Sequence, residues 1–541
     1  MQHQEIAPKS NWGFWSFLSV IFIIEFLLFN QFVSRNIAPF YPASFDQASY
    51  LPVLYLFFEN IKKYGLIASF SHSPSLATGI LFPIQSAIAF ILWGASRHTA
   101  LLVNFLYFVA LQISSVIAMK SVSKENYFSF AFLGILLAIN TPFFLGGGMF
   151  DVRLDFMAFC LYGIFINLVI KSDFFISRKW SLAAGTIACL TILLRSLSLV
   201  YFVGVLGILF LYLLIKRTHK QQILNILLCS LLISTVTLPL IWLNREALYN
   251  YYFIGHVFGS EKYIRLAEAQ ITNTFSELLY YPNMLLTHFG NTALFLCAIV
   301  LSLFGLMQRR AAPSDRFKIG YVFLLAAILF PMLVLTMDTS KSPVVGGIMV
   351  IPTIWLIFWF SLSANIRSAP SASKLRIMIN SAWVVLFIGV FCQIKELNHH
   401  YSQRRLTELN AITDLYLDIG NYATSKKMTS VKISFDRIQD YLTSGGIATL
   451  YYESTGKFLN IGVGRLGGMI FAISQKEALD TLKRSDIFVM NLGTYTAHSN
   501  YPFDESVKEI HPLLKTYAEK HFKVLGDYSI KNATYRVYVA K

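Results

Sequence analysis

The sequence predicts a polytopic α-helical membrane protein of about eleven spans that ends in a soluble α/β domain. Three observations predict it. Of 541 residues, 55% are hydrophobic and 14% charged, more apolar material than a soluble protein of this length buries. Apolar stretches near the roughly 20 residues that cross a bilayer recur from residue 12 to residue 395. Beyond Asn398 the pattern changes, with 32 charged residues in the last 144 against 42 in the preceding 397. The 47 Phe and 28 Tyr suit rings that pack in a bilayer and gather at its interfaces.

The first span is read near 12–33. It is too long for the apolar core of a cleavable signal, and no small-residue cleavage site follows it. Glu25 inside it costs about 2.5–3.5 kcal/mol in hydrocarbon on insertion scales, so it is expected to face other helices. Further spans are read near 99–119, 127–146, 154–170, 180–194, 197–215, 222–243, 284–307, 319–337, 344–363 and 377–395. A twelfth stretch, 78–95, is short and carries Pro83 and Gln85. Loop charge decides against it as a span. Leaving it out puts sixteen Lys and Arg of short loops, about 60 residues in all, on one side, and ten spread over about twice that length on the other.

Eleven spans, an interfacial 78–95, a cytoplasmic N-terminus and an extracytoplasmic C-terminus follow from that bias. The net charge of +16 then reads as membrane orientation. No basic run or recognition motif organises it, and nucleic-acid binding is not expected. The five cysteines fall in apolar segments without metal or redox spacing and read as small buried residues. The chain is divided into a transmembrane domain, 1–397, and a soluble domain, 398–541. In the latter the patterning predicts a polar helix near 402–426, strands at 431–435 and 487–490, a helix near 505–521 and closing strands at 523–530 and 534–540.

Unusual residues collect in four loops on one predicted face. In the first, 34–98, Asp46-Gln47-Ala48-Ser49-Tyr50 precedes an amphipathic stretch from Leu54 to Tyr64, where Asp46 also suits an ordinary helix start. The second, 146–153, reads Gly146-Gly147-Gly148-Met149-Phe150-Asp151-Val152-Arg153 and runs into Leu154-Asp155 at a span start. Three charges there need partners or a wet cavity, and the glycines let backbone approach a ligand. Arg195, at the end of a span, suits a lipid headgroup or a phosphate arriving on a lipid tail. The loop 338–343 presents Lys341 among hydroxyl residues, as Asp338-Thr339-Ser340-Lys341-Ser342-Pro343.

The order of these motifs resembles the GT-C superfamily, in particular its bacterial branch of protein mannosyltransferase-like and lipid A aminoarabinose transferase-like enzymes. The motifs are Asp46-Gln47-Ala48-Ser49-Tyr50, Arg153-Leu154-Asp155, Arg195-Ser196, Pro239 to Trp242 with Tyr251 to His256, and Ser340-Lys341-Ser342-Pro343 with Pro352. The likeness covers roughly residues 10–365. It departs from the family pattern at Gln47, where a second acid is usual, and at Arg195, where Lys is usual.

The resemblance implies a glycosyltransferase of the bacterial inner membrane that moves a sugar from a polyprenyl-phosphate carrier to an extracytoplasmic acceptor, with inversion. It implies Asp46 as general base, with Asp155 orienting Arg153 or the acceptor. Lys341, Arg195 and Arg153 would balance the leaving phosphate, and Tyr50, Asp151 and His256 would line the substrate site. Gln47 leaves use of a divalent metal open, because one carboxylate is a poor start for an oxygen site. Readings as a transporter or flippase of lipid-linked sugars, or as a non-catalytic binder of them, also stay open.

Overall fold

A computed structural model describes residues 12–541 except 43–44, 73–78, 124–125, 145, 218, 260, 291–313, most of 366–405, 438–440, 464–465, 467–470 and 494–500. Seven described helices are long and apolar enough to cross a membrane. They are Trp12–Asn36 (α1), Arg97–Ser123 (α4), Asn126–Phe143 (α5, ending in a short 3-10 turn), Leu154–Lys171 (α6), Ser198–Lys216 (α8), Lys220–Leu243 (α9) and Asp315–Met337 (α12). The other principal helices of this part are Phe45–Tyr64 (α2), Leu81–Trp93 (α3), Arg178–Leu194 (α7), Glu261–Glu268 (α10), Thr274–Phe289 (α11) and Val350–Asn365 (α13).

The helices sort by how much apolar surface they present. α6 is apolar all round and 83% of its span is buried, as befits the centre of a bundle. Gly163 lets α6 approach its neighbours, since a methyl group there would press on Leu111 and Ile351. α1 and α9 are equally apolar but only 22% buried, leaving Ile23, Leu27 and Leu231 more than half exposed. Apolar surfaces of this extent on helices long enough to span a bilayer suit contact with lipid. The chain is a multi-pass membrane protein.

Glu25 faces inward as expected. It is buried, and the Gln112 side-chain amide donates to it at 3.0 Å. The doubtful 78–95 stretch gives the 13-residue α3, about 20 Å long against the roughly 30 Å of hydrocarbon. The amphipathic helix begins earlier than read, at Phe45, so Asp46 lies in its first turn. The read span 284–307 begins within α11 and otherwise falls outside the described residues, as do most of 377–395 and the 397/398 boundary.

The C-terminal unit is a five-stranded sheet in the order β2-β1-β3-β5-β4. Its strands are Ser430–Phe435 (β1), Asn460–Val463 (β2), Ile487–Asn491 (β3), Phe522–Ile530 (β4) and Ala533–Ala540 (β5). The first three run parallel, and β5 pairs antiparallel with both β3 and β4. Leu406–Ser425 (α14) and Ser444–Thr455 (α15) pack on one apolar core with Val431, Ile433 and Val537; Gln475–Lys483 (α16) and Pro502–His521 (α17) cover Phe488, Met490 and Tyr538 on the other face. The sequence reading found four strands and two helices here. It did not find β2, four residues with an internal glycine, nor the nine-residue α16, nor α15, whose Ser-Gly-Gly start imitates a turn.

Candidate active site

The glycine turn before α6 builds the site from below. Gly147 has φ +88°, a left-handed conformation, and a Cβ there would collide with the Val344 side chain. Asp151 is fully buried, and its Oδ2 accepts the Gly147 amide at 2.7 Å. Asn104 donates to the carbonyls of Met149 and Asp151 at 3.0 and 2.9 Å. Asp151 therefore folds the turn from within, rather than presenting its carboxylate at the surface of the site.

The turn delivers Arg153 and Asp155 into a charge chain. Asp46 Oδ2 meets Arg153 Nη1 at 2.8 Å, and Arg153 Nε donates to Asp155 Oδ2 at 3.1 Å. Arg195 Nη1 donates to the other oxygen, Asp155 Oδ1. Asp155 is thus clasped by two guanidinium groups and only 9% exposed, whereas the Asp46 carboxylate is 49% exposed. Burial works against the charges of Arg153 and Arg195, and the facing carboxylates more than offset it, so both pKa values are raised. The Arg195 charge-assisted bond uses one Nη1 hydrogen; its remaining donors meet no acceptor among the described residues.

Tyrosines surround the chain. Tyr50, whose ring packs edge-on against Phe82 at 5.5 Å, is raised in pKa by burial and then by Asp155 and Asp46. Tyr251 lies 4.6 Å from the His256 ring, on a π-helix, Tyr249–Phe258. His256 Nδ1 stands 3.4 Å from Asp338, and the His256 carbonyl accepts the Thr339 amide at 3.0 Å. The π-helix and the 338–343 loop are stapled together there.

Lys341 has partners of its own, distinct from those of the two arginines. Its side chain is shielded from solvent and donates to the Thr336 carbonyl at 2.6 Å, with Glu277 Oε1 at 3.2 Å. Burial lowers its pKa, and Glu277 opposes the shift. The fully buried His288, three turns beyond Glu277 on α11, bonds Thr141 Oγ1 at 3.0 Å and donates Nε2–H to the Pro343 carbonyl at 2.8 Å. Glu277 and His288 escaped the sequence reading. Glu277 sits in a well-capped helix and looks ordinary, and no local motif ties it to a lysine far along the chain.

A metal does not suit this donor set. Among the described residues, no three His, Cys, Asp or Glu side chains gather to hold one. Asp46 and Asp155 sit on guanidinium groups, and Gln47 is fully buried with Nε2 3.4 Å from the Phe150 carbonyl.

Next to Arg195 lies a mainly apolar cavity of about 860 Å³, lined by Ser196, Leu197, Tyr249, Tyr252 and Val334, with Arg245, Glu246 and Asp338 also in its wall. Its wall begins at the residue after Arg195.

The helical bundle with its C-terminal α/β unit shares its fold with solved proteins of GT-C fold. The chain is similar to ArnT from Cupriavidus metallidurans in the apo state, with a TM-score of 0.59 and 11% identity over 97% of this chain and 98% of that one. ArnT bound to undecaprenyl phosphate gives 0.57 and 11% over 96% and 97%. The oligosaccharyltransferase AglB from Archaeoglobus fulgidus, in complex with an inhibitory peptide and a dolichol-phosphate, gives 0.54 and 10% over 97% and 75%. No family model and no curated protein sequence matches the chain.

Proposed function

We propose that the protein is a glycosyltransferase that takes its sugar from a polyprenyl-phosphate carrier. The observation that carries this reading is the meeting of two arginines on one buried acid beside a mainly apolar cavity. A lipid phosphate needs both: cations for its charge at the interface and an apolar surface for its tail. The solved structures of like fold that hold undecaprenyl phosphate or dolichol-phosphate support it. A nucleotide-sugar donor is disfavoured, because no Gly-rich nucleotide motif stands between a strand and a helix.

In this reading Asp46, half exposed at the end of the charge chain, takes the proton of the acceptor nucleophile. The nucleophile bonds to the anomeric carbon as the carbon–oxygen bond to the phosphate breaks, and the electron pair leaves on the phosphate oxygen. Attack opposite the leaving group inverts the anomeric centre. Arg195 and Arg153 balance the departing phosphate, where a partly dry site magnifies the effect of charge. Asp155 fixes both guanidinium planes. Lys341 reaches the phosphate by exchanging Glu277 for it, while Tyr50 and His256 contact the sugar or acceptor and Asp151 holds the turn that aims Arg153. The site faces the extracytoplasmic side, with the N-terminus in the cytoplasm.

The test is release of polyprenyl phosphate by the purified protein from a panel of polyprenyl-phosphate sugars, with membrane extract as the acceptor source. Release lost in Asp46→Asn and Arg195→Gln supports the transferase. No release from any donor overturns it.

A further inference from the structure

The helix that carries Asp46 has two working faces. With 3.6 residues per turn, Ala48, Tyr55 and Glu59 fall on one stripe of α2, and Asp46 and Tyr50 lie about 160° away from it. The Asp46 face meets Arg153. The opposite face is occupied by α15 of the C-terminal unit.

Four contacts make that second face. Pro52 lies inside α2 and has no amide hydrogen, so the Ala48 carbonyl lacks the partner that residue 52 would supply. The first turn of α15 comes up against this oxygen so closely that a Cβ on Gly445 would collide with it. One helical repeat further, Tyr55 donates to Glu453 Oε1 at 2.6 Å, and Tyr452 stacks on the Tyr55 ring at 4.5 Å. Tyr452 also donates to Glu59 Oε1 at 2.6 Å. Glu453 is anchored in turn by Arg97 Nη2 at 2.8 Å, and the 1% exposed Arg97 holds the Ile37 and Phe40 carbonyls just beyond α1.

We propose that α15 sets the rotation and depth of α2 and thereby places Asp46, with Gly445 and Tyr452 as positioning residues. This rests on the reading of Asp46 as the base. A side chain at 445 pushes α2 away from α15 and shifts the carboxylate, while the arginines that bind phosphate stay on their own elements. The expected signature is therefore a loss of turnover without a loss of donor binding.

The experiment compares full-length wild type, Gly445→Ala and Tyr452→Phe for polyprenyl phosphate release and for amide exchange along α2. Gly445→Ala is expected to lower kcat about 10–100-fold with donor KM within about twofold, since ångström-scale misplacement of a reacting group costs that much. Amides 49–51 and 53–55 lose protection while those of α4 keep theirs. Tyr452→Phe, which removes only a hydroxyl and keeps the stack, gives a smaller fall of the same kind. In an Asp46→Asn background Gly445→Ala has no further effect on the residual rate, because both act through one group. Unchanged kcat in both folded variants, or equal rises in KM and unfolding, overturns the positioning role. Should wild type turn over no donor, the function reading falls and exchange alone decides: loosened α2 amides sustain the placement of Asp46 by α15, and unchanged ones overturn it.

Discussion

Arg195 offers the sharpest quantitative test of the phosphate reading. One of its guanidinium hydrogens is spent on Asp155, and the others are left for a ligand. Arg195→Gln removes a unit charge from a partly buried position. At about 4 Å from a phosphate oxygen and an effective dielectric near 20, that charge is worth about 4 kcal/mol. Spent wholly in the transition state, this is a fall of about 10³ in kcat/KM. Arg195→Lys keeps the charge, but its compact ammonium cannot grip Asp155 and a phosphate with separate edges. It loses a charge-assisted hydrogen bond of about 1.5–3 kcal/mol, or roughly 10–150-fold. Asp155 keeps Arg153 in both variants, so the fold survives. The assay is kcat/KM for polyprenyl phosphate release, with thermal unfolding measured alongside. Folded Arg195→Gln within threefold of wild type would refute the assignment.

Other consequences are open to measurement. Asp46→Asn should abolish at least about 10²-fold of turnover while leaving polyprenyl phosphate binding intact, as followed by a fluorescent lipid displacement assay. Gly147→Ala places a side chain at a positive φ and against Val344; a lowered unfolding temperature, equivalent to about 1–3 kcal/mol, is expected, and an unchanged one would show that the turn relaxes. Asp436 is fully buried in the C-terminal unit, its Oδ2 bonded to His511 at 2.9 Å and to the Asn491 amide at 2.8 Å. Burial raises its pKa, with His511 opposing. A raised carboxyl pKa gives stability that is fully present below the ordinary Asp value and is lost as pH rises through the folded one. The unfolding midpoint of wild type relative to Asp436→Asn should therefore fall across that acidic window; a difference independent of pH would contradict it.

Much of this architecture is written locally. The closing strands were legible because alternation and turn residues are short-range signals, and the first span because its length alone decides. Asp46, Arg153, Asp155 and Arg195 come from three separate loops, so their types and order could be read but their meeting could not. The resemblance puts Asp151 on the lining of the substrate site, and only the turn's backbone reveals that it points inward to the Gly147 amide. Lys341 could be read as a cation for phosphate, but its pairing with Glu277, a residue of α11 far from it in sequence, could not. The π-helix at 249–258 has no local signature, since its widened turns depend on what the tyrosines and His256 pack against. Arg97 marked only the edge of a span.

That arginine has a consequence for how the protein is made. Its carboxylate partner lies 356 residues further along the chain. At ribosomal speeds of about 5–20 residues per second, roughly 20–70 s pass between synthesis of Arg97 and arrival of Glu453. Through that interval the inserted helices hold a cation whose counter-charge has not yet been synthesised. The bundle's last step of maturation is thus deferred until the tail has folded beside it, and a chain truncated before Glu453 would keep the signature of an immature product for any quality-control protease to read.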